Sequence, residues 1–161
     1  MGSKLRNASA DTANFTVGQM NTGDGEVPSH LLDNTARLFH ALEVVREENG
    51  AVPIRIISGY RSVDGNRKGA KSQVELDAIH PGRAFYSEHM TGSAADCVPA
   101  DGDVMRLYQS ALRVQRCEPS TGIGYVHMYA KNGVPTFVHI DTGPSDKIAR
   151  IDFVKRCIGE A

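Results

Sequence analysis

Apolar positions along the chain follow two periods. Leu31, Thr35, Leu38, Leu42 and Val45 recur at three and four residues, with Phe39 widening the stripe, and predict an amphipathic helix over about 29–49. Ser29 stands where an N-cap belongs, and Gly50 stands where a C′ glycine ends a helix. His40 lies on this helix and reads as a structural or surface histidine. The run Val52-Pro53-Ile54-Arg55-Ile56-Ile57 predicts a short strand. Residues 63–86 show little periodicity and hold Gly65, Gly69, Pro81 and Gly82, the pattern of a long loop. A second strand is expected over about 93–98. A helix over about 103–116 follows, capped by Asp101 or Asp103, with Val104, Leu107, Tyr108, Ala111 and Leu112 turned inward. Two further strands, about 123–129 and 136–141, flank Asn132-Gly133, a strong hairpin signal. Ile148, Ile151, Val154 and Ile158 mark the inner side of a last helix over about 145–158. The order α-β-β-α-β-β-α predicts a small α+β fold, with a mostly antiparallel central sheet and flanking helices. Residues 1–27 are polar and rich in Asn, Ser, Thr, Gly and Asp. They read as an extended arm with one apolar anchor near Phe15-Thr16-Val17, ahead of a single domain over 28–161.

Composition narrows the function classes. The chain has 161 residues, enough for one domain that buries a real core without staples. Eighteen basic and 19 acidic side chains leave a net charge of −1, which removes the broad basic footprint of a nucleic-acid binder. Aromatic residues are 6% and tryptophan is absent, so stacking platforms for single strands are not expected either. No run approaches the ~20 apolar residues of a membrane helix. Met1-Gly2-Ser3-Lys4-Leu5-Arg6-Asn7 is followed by no apolar core of a secretory signal, and Arg6 breaks the myristoylation pattern. Cys97, Cys117 and Cys157 are widely spaced and odd in number, which fits small hydrophobes in a reducing compartment better than a disulfide framework or a zinc ribbon.

Candidate chemistry sits in two segments. In Ser87-Glu88-His89-Met90-Thr91-Gly92-Ser93-Ala94-Ala95-Asp96, a nitrogen and an oxygen ligand type stand seven residues apart. That spacing suits a turn folding back onto a strand, with Gly92 allowing the turn. Ala94 and Asp96 then share a strand face, and Cys97 points away. In Phe137-Val138-His139-Ile140-Asp141, His139 and Asp141 share one face. His89, Asp96 and His139 together make a two-histidine, one-carboxylate set. Catalytic zinc sites use that set, and so do non-haem iron centres.

The motifs Ser58-Gly59-Tyr60-Arg61-Ser62, Asn66, Ser87-x-His89-x-x-Gly92-x-Ala94-x-Asp96, Gly122-x-Gly124-Tyr125 and Phe137-Val138-His139-x-Asp141-Thr142-Gly143 resemble the zinc D-Ala-D-Ala metallopeptidases. The resemblance is closest to their small murein endopeptidase branch, in a fold group shared with lysostaphin-type enzymes and the hedgehog domain. It implies a zinc metallopeptidase, a D,D-carboxypeptidase or a murein endopeptidase, acting on D-amino-acid peptide bonds in peptidoglycan stem peptides or crosslinks; the chain is expected to be a monomer. It implies that His89, Asp96 and His139 bind Zn2+, and that Arg61 steadies the substrate and its developing oxyanion. Tyr60, Asn66 and Ser87 are the implied substrate contacts. Such a protein acts on the cell wall, from the periplasm, in a target cell or as a phage lysin.

The chain departs from that pattern in two places. Many relatives carry a histidine or carboxylate two or three residues before the last ligand, where this chain has Phe137 and Thr136. The loop from Asn66 to Ser87 is also long and charged. Asp141 is then the expected general base, or an orienting partner of a ligand. His127 is the alternative base. A tight Asn132-Gly133 turn pairs 127 with 138 and points His127 away from His139, whereas a bulge reverses that. The missing base keeps open a second reading, a catalytically inactive zinc-containing binding or structural module of the same fold.

Overall fold

The computed structural model describes residues 10–160. Residues 1–9 of the expected arm, with the N-terminal motif, lie outside the described residues. Four strands form one antiparallel sheet: β1 (Ile54–Ser58), β2 (Ala94–Pro99), β3 (Tyr125–Lys131) and β4 (Val134–Asp141), in the order β1-β2-β4-β3. Alternation of side chains gives the sheet two characters. Ile54, Ile56, Ala95, Cys97, Val126, Val138 and Ile140 are buried in the core. The opposite face carries Ala94, Asp96, His139 and Asp141, with Asp96 paired to His139 and Ala94 to Asp141.

Helices α1 (Leu32–Glu48) and α4 (Val104–Cys117) pack together over the apolar face. Leu38, Phe39, Leu42, Val45, Leu107 and Ala111 are buried there, as the 3.6-residue period requires. Tyr108 and Leu112 are only partly buried against this core, while Ser110 and Val114 are buried instead. Asp103 caps α4 through a hydrogen bond from the Arg106 amide at 3.0 Å. Ser29 does not cap α1. Pro28 opens a 3-10 turn, Ser29–Leu31, and α1 follows directly from it.

Three other expectations are corrected. The stretch 63–86 is not one loop. It holds two short helices, α2 (Val63–Arg67) and α3 (Gln73–Ile79), capped by the hydroxyls of Ser62 and Ser72. The last helix, α5 (Lys147–Ile158), buries Val154 fully, but Ile148 is 72% exposed. The apolar side of α5 rests on the 3-10 segment Glu88–Thr91, and Ile148 in its first turn stands in solvent. The described part of the arm, 10–27, has more anchors than Phe15 and Val17, because Ala10, Met20 and Val27 are buried too. Phe15 stacks on Phe39 of α1 with ring centroids 5.8 Å apart.

The β3–β4 hairpin turns at Asn132-Gly133, both at positive φ (52° and 77°). That is the turn which matches strand twist. Lys131 pairs with Val134 and Ala130 with Pro135, but Tyr129 pairs with Phe137, so Thr136 is an extra residue. Pro135 has no amide to give the ladder. The Thr136 hydroxyl donates to the Tyr129 carbonyl instead, at 3.1 Å. This bulge moves the register by one, and His127 stands opposite His139 on the same face. The expectation that His127 turns away is therefore corrected.

Among the described residues, no helix is long and apolar enough to cross a membrane.

Candidate metal centre

The loop face of the sheet is open over a cleft of about 390 Å³, lined by Arg61, Arg83, Ser87, Glu88, His89, Asp96, Tyr125, Tyr129, Phe137, His139 and Arg150 among others. Asp96 lies at its floor on the central strand β2. A bulge between Ile56 and Ser58 sets Ser58 opposite Asp96, and the chain then turns through Gly59 and Tyr60 to Arg61. The Arg61 amide donates to the His89 carbonyl at 3.0 Å, tying this turn to the 3-10 segment Glu88–Thr91. That segment is capped by the Ser87 hydroxyl, which accepts from the His89 amide at 3.2 Å. Gly92 ends it at φ 74°, where a Cβ would stand 2.8 Å from the Thr35 hydroxyl. A glycine there lets the chain reverse from His89 into β2.

Three buried side chains converge. Candidate ligand atoms of His89, Asp96 and His139 all lie within 4.8 Å of one another. Asp96 Oδ1 is 3.4 Å from His89 Nε2 and 3.1 Å from His139 Nδ1. Each ring is held by its other nitrogen. His89 Nδ1 donates to the Gly59 carbonyl at 2.6 Å, and His139 Nε2 donates to Asp141 Oδ2 at 2.8 Å. Both remaining nitrogens therefore turn toward Asp96. Partners of this kind fix the tautomer and orientation of a metal-binding imidazole.

The electrostatics follow from burial and neighbours. Burial penalises the Asp96 anion, but the hydrogen bonds and charges of His139 and His89 outweigh it and hold the carboxyl well below the usual range. Burial alone lowers the His139 pKa, and its bonds to Asp141 and Asp96 reverse that, raising it to about 9. For His89 burial dominates and the pKa falls. Two histidines flanking one carboxylate in a desolvated floor form a donor set for a divalent cation, and a two-histidine, one-carboxylate set with an open position is the donor chemistry of catalytic zinc.

The other expected residues fall into two groups. Arg61 and Ser87 line the cleft. The Arg61 guanidinium donates to the Ser58 hydroxyl at 3.0 Å and lies 3.5 Å from Asp96 Oδ2. Tyr60, Asn66 and Asp141 are not brought to the cleft. Tyr60 packs into the core and lines a separate cavity with Leu31, Val63 and Met90. Asn66 is fully buried; its amide nitrogen donates to the Ala84 carbonyl at 2.9 Å and its oxygen accepts from the Arg61 guanidinium at 3.5 Å. Asp141 is 0% exposed behind His139, its Oδ1 accepting from the Gly143 amide at 3.3 Å. His127 is exposed on the strand beside the cleft, between Tyr125 and Tyr129. Cys97 lies in the core, where burial pushes its thiol pKa up.

Sequence reasoning missed Glu88 and Arg150. Glu88 is 2% exposed and meets Arg150 in a two-point fork, with both contacts at 3.1 Å. Glu88 sits inside the strongest motif, but 62 residues separate it from its partner. Burial raises its pKa, and Arg150 opposes that.

A small antiparallel α+β domain with a His-Asp-His floor defines a class of candidate metal-dependent proteins. Residues 28–147 match the family described as peptidoglycan L,D-endopeptidase MepK, and the chain belongs to that family. It is 36% identical over 93 residues to proteins named peptidoglycan L,D-endopeptidase MepK from Escherichia coli K12 and Shigella flexneri. The alignment covers 58% of this chain and 42% of those relatives, so the chain matches less than half of their length. No solved structure matches it significantly.

Proposed function

We propose that the chain is a zinc-dependent peptidase that cleaves a peptide bond in peptidoglycan stem peptides or crosslinks, with His89, Asp96 and His139 as the zinc ligands. The observation that carries this reading is the convergence of one imidazole nitrogen from each histidine on Asp96, while the other nitrogen of each ring is bonded away from it. A bound zinc supplies a Lewis acid that polarises a scissile carbonyl and lowers the pKa of water to about 7. The name borne by the relatives, L,D-endopeptidase, supports an endopeptidase over a carboxypeptidase. The chain's own residues do the rest. Arg61, half turned into the cleft and fixed by Ser58 and Asn66, faces the developing oxyanion. Tyr125, Tyr129 and Phe137 make an aromatic wall that seats the peptide and limits water. Asp141 acts as the orienting partner of His139 and not as general base, because it is fully buried behind the ring.

One observation favours a second reading, an inactive zinc module. The acidic residues lining the cleft are Asp96 and Glu88, and Glu88 is held by Arg150. Digestion of purified murein with the zinc-loaded protein, followed by mass analysis, separates the two. Cleavage should yield muropeptides with new peptide termini, at one zinc per chain, and His139→Ala should yield none. Stoichiometric zinc without any released fragment selects the inactive module. Full zinc in both His89→Ala and His139→Ala moves the metal elsewhere.

A further inference from the structure

Helix α5 starts where the family match ends, at residue 147, and sends one side chain back into the centre. Arg150 Nε lies 3.1 Å from Glu88 Oε1, and its Nη2 lies 3.1 Å from Oε2. The same Nη2 lies 3.4 Å from Asp141 Oδ2, the oxygen that accepts from His139 Nε2. The guanidinium also covers the Tyr125 ring at 4.7 Å, which limits where it can move. Glu88 and Asp141 are both buried, and Arg150 is the one lysine or arginine within ion-pair reach of either among the described residues. One cation thus spans two buried carboxylates. Without it the two carboxylates repel each other, and the Asp141 oxygen that holds His139 loses its second anchor.

We propose that Arg150 is a positioning residue: through Asp141 it fixes the His139 ring so that Nδ1 points at the metal position beside Asp96. This role rests on the reading of His139 as a zinc ligand. A planar fork that reaches Glu88 with two nitrogens and Asp141 with one of them cannot be reproduced by a lysine point charge.

The test measures zinc dissociation constants by chelator competition on the full chain. The variants are Arg150→Lys, Asp141→Asn, their combination, and Glu88→Gln with Arg150→Gln, which replaces the buried ion pair by a neutral hydrogen-bonded one. Loss of an orienting partner weakens metal affinity about 10–100-fold. Arg150→Lys and the Glu88→Gln/Arg150→Gln pair should each weaken zinc binding about 10-fold or more. Combining Arg150→Lys with Asp141→Asn should add little to the larger single loss, since both act on one ring. A readout independent of metal and of variant stability is proton NMR of the zinc-free wild type, where the His139 Nε2 proton should exchange slowly. Unchanged zinc affinity in both Arg150 variants, additive losses, or a freely exchanging His139 Nε2 proton in the wild type overturns the role. A wild type that binds no zinc overturns the zinc reading itself and this role with it.

Discussion

At the scale of single residues, Arg61 shows how one side chain meets opposing demands. Burial weakens the charged form of its guanidinium, Asp96 strengthens it, and Arg83, which also lines the cleft, weakens it again. The side chain remains 20% exposed, so its fork is both fixed and reachable. Arg61→Ala should therefore retain one zinc per chain and lose about 10²–10³ of the murein-cleaving rate, the usual cost of an oxyanion donor. Arg61→Lys should recover little, because the fork also holds Ser58 and Asn66. Fragment release beside zinc content checks both, and wild-type turnover in Arg61→Ala would sink the assignment. His89, Asp96, His139 and Arg61 were legible because each lies in a short motif whose residue types belong to one chemistry. Tyr60 and Asn66 lie in the same motifs, yet their side chains support the site from behind. Spacing does not tell a residue that faces the substrate from one that holds its neighbour. Glu88 and Arg150 were not legible, since only the fold joins α5 to the segment 88–91.

At the scale of elements, the two periods in the sequence located the four strands and the three long helices. Boundaries moved by a few residues where caps and turns decided them. The α2 and α3 helices escaped notice because each is too short for an apolar stripe and is fixed by a serine cap and its contacts. A bulge stands as the sequence's alternative to the tight-turn register, but its place at Thr136 was not legible, because the Asn132-Gly133 turn predicts a register that Pro135 cannot continue. Gly124, by contrast, has a physical reason that its motif only hinted at. Its amide extends the ladder by donating to the Asp141 carbonyl at 2.9 Å, and a Cβ there would stand 1.8 Å from the Gly143 carbonyl oxygen. Backbone cannot rotate aside as a side chain can. Gly124→Ala should therefore cost about 1–3 kcal/mol or more by overpacking, read as a lower urea midpoint. Gly25→Ala, with nothing within 4 Å, is the control and should leave the midpoint nearly unchanged. Equal midpoints for the two variants would show that the 124–143 loop pair yields more easily than its packing implies.

At the scale of the molecule, the segment matching the family, 28–147, is not the whole of the folding unit. Phe15, Val17, Met20 and Val27 precede it and Val154 follows it, all buried in the protein interior. Each buried apolar side chain of this size contributes ~1.5–3 kcal/mol, so together they rival the ~5–15 kcal/mol net stability of a domain. The flanks also hold the centre. The Tyr60 amide donates to the Met20 carbonyl and the Gly59 amide to the Thr22 hydroxyl, both at 2.8 Å. Gly59 in turn accepts from His89. On the other side, Arg150 reaches Asp141 behind His139. Each histidine of the floor is thus braced by a segment outside the family match. The fragment 28–147 alone should then fail to fold cooperatively, with poor dispersion in its NMR spectrum and no sharp urea transition. The full chain should unfold in one transition and gain about 2.7 kcal/mol when free zinc is 100 times its dissociation constant. The fragment should show no such gain, because no preformed site exists for the metal to select. A fragment with dispersed resonances and full-length zinc affinity would mean that the flanks cover the domain without bracing its centre.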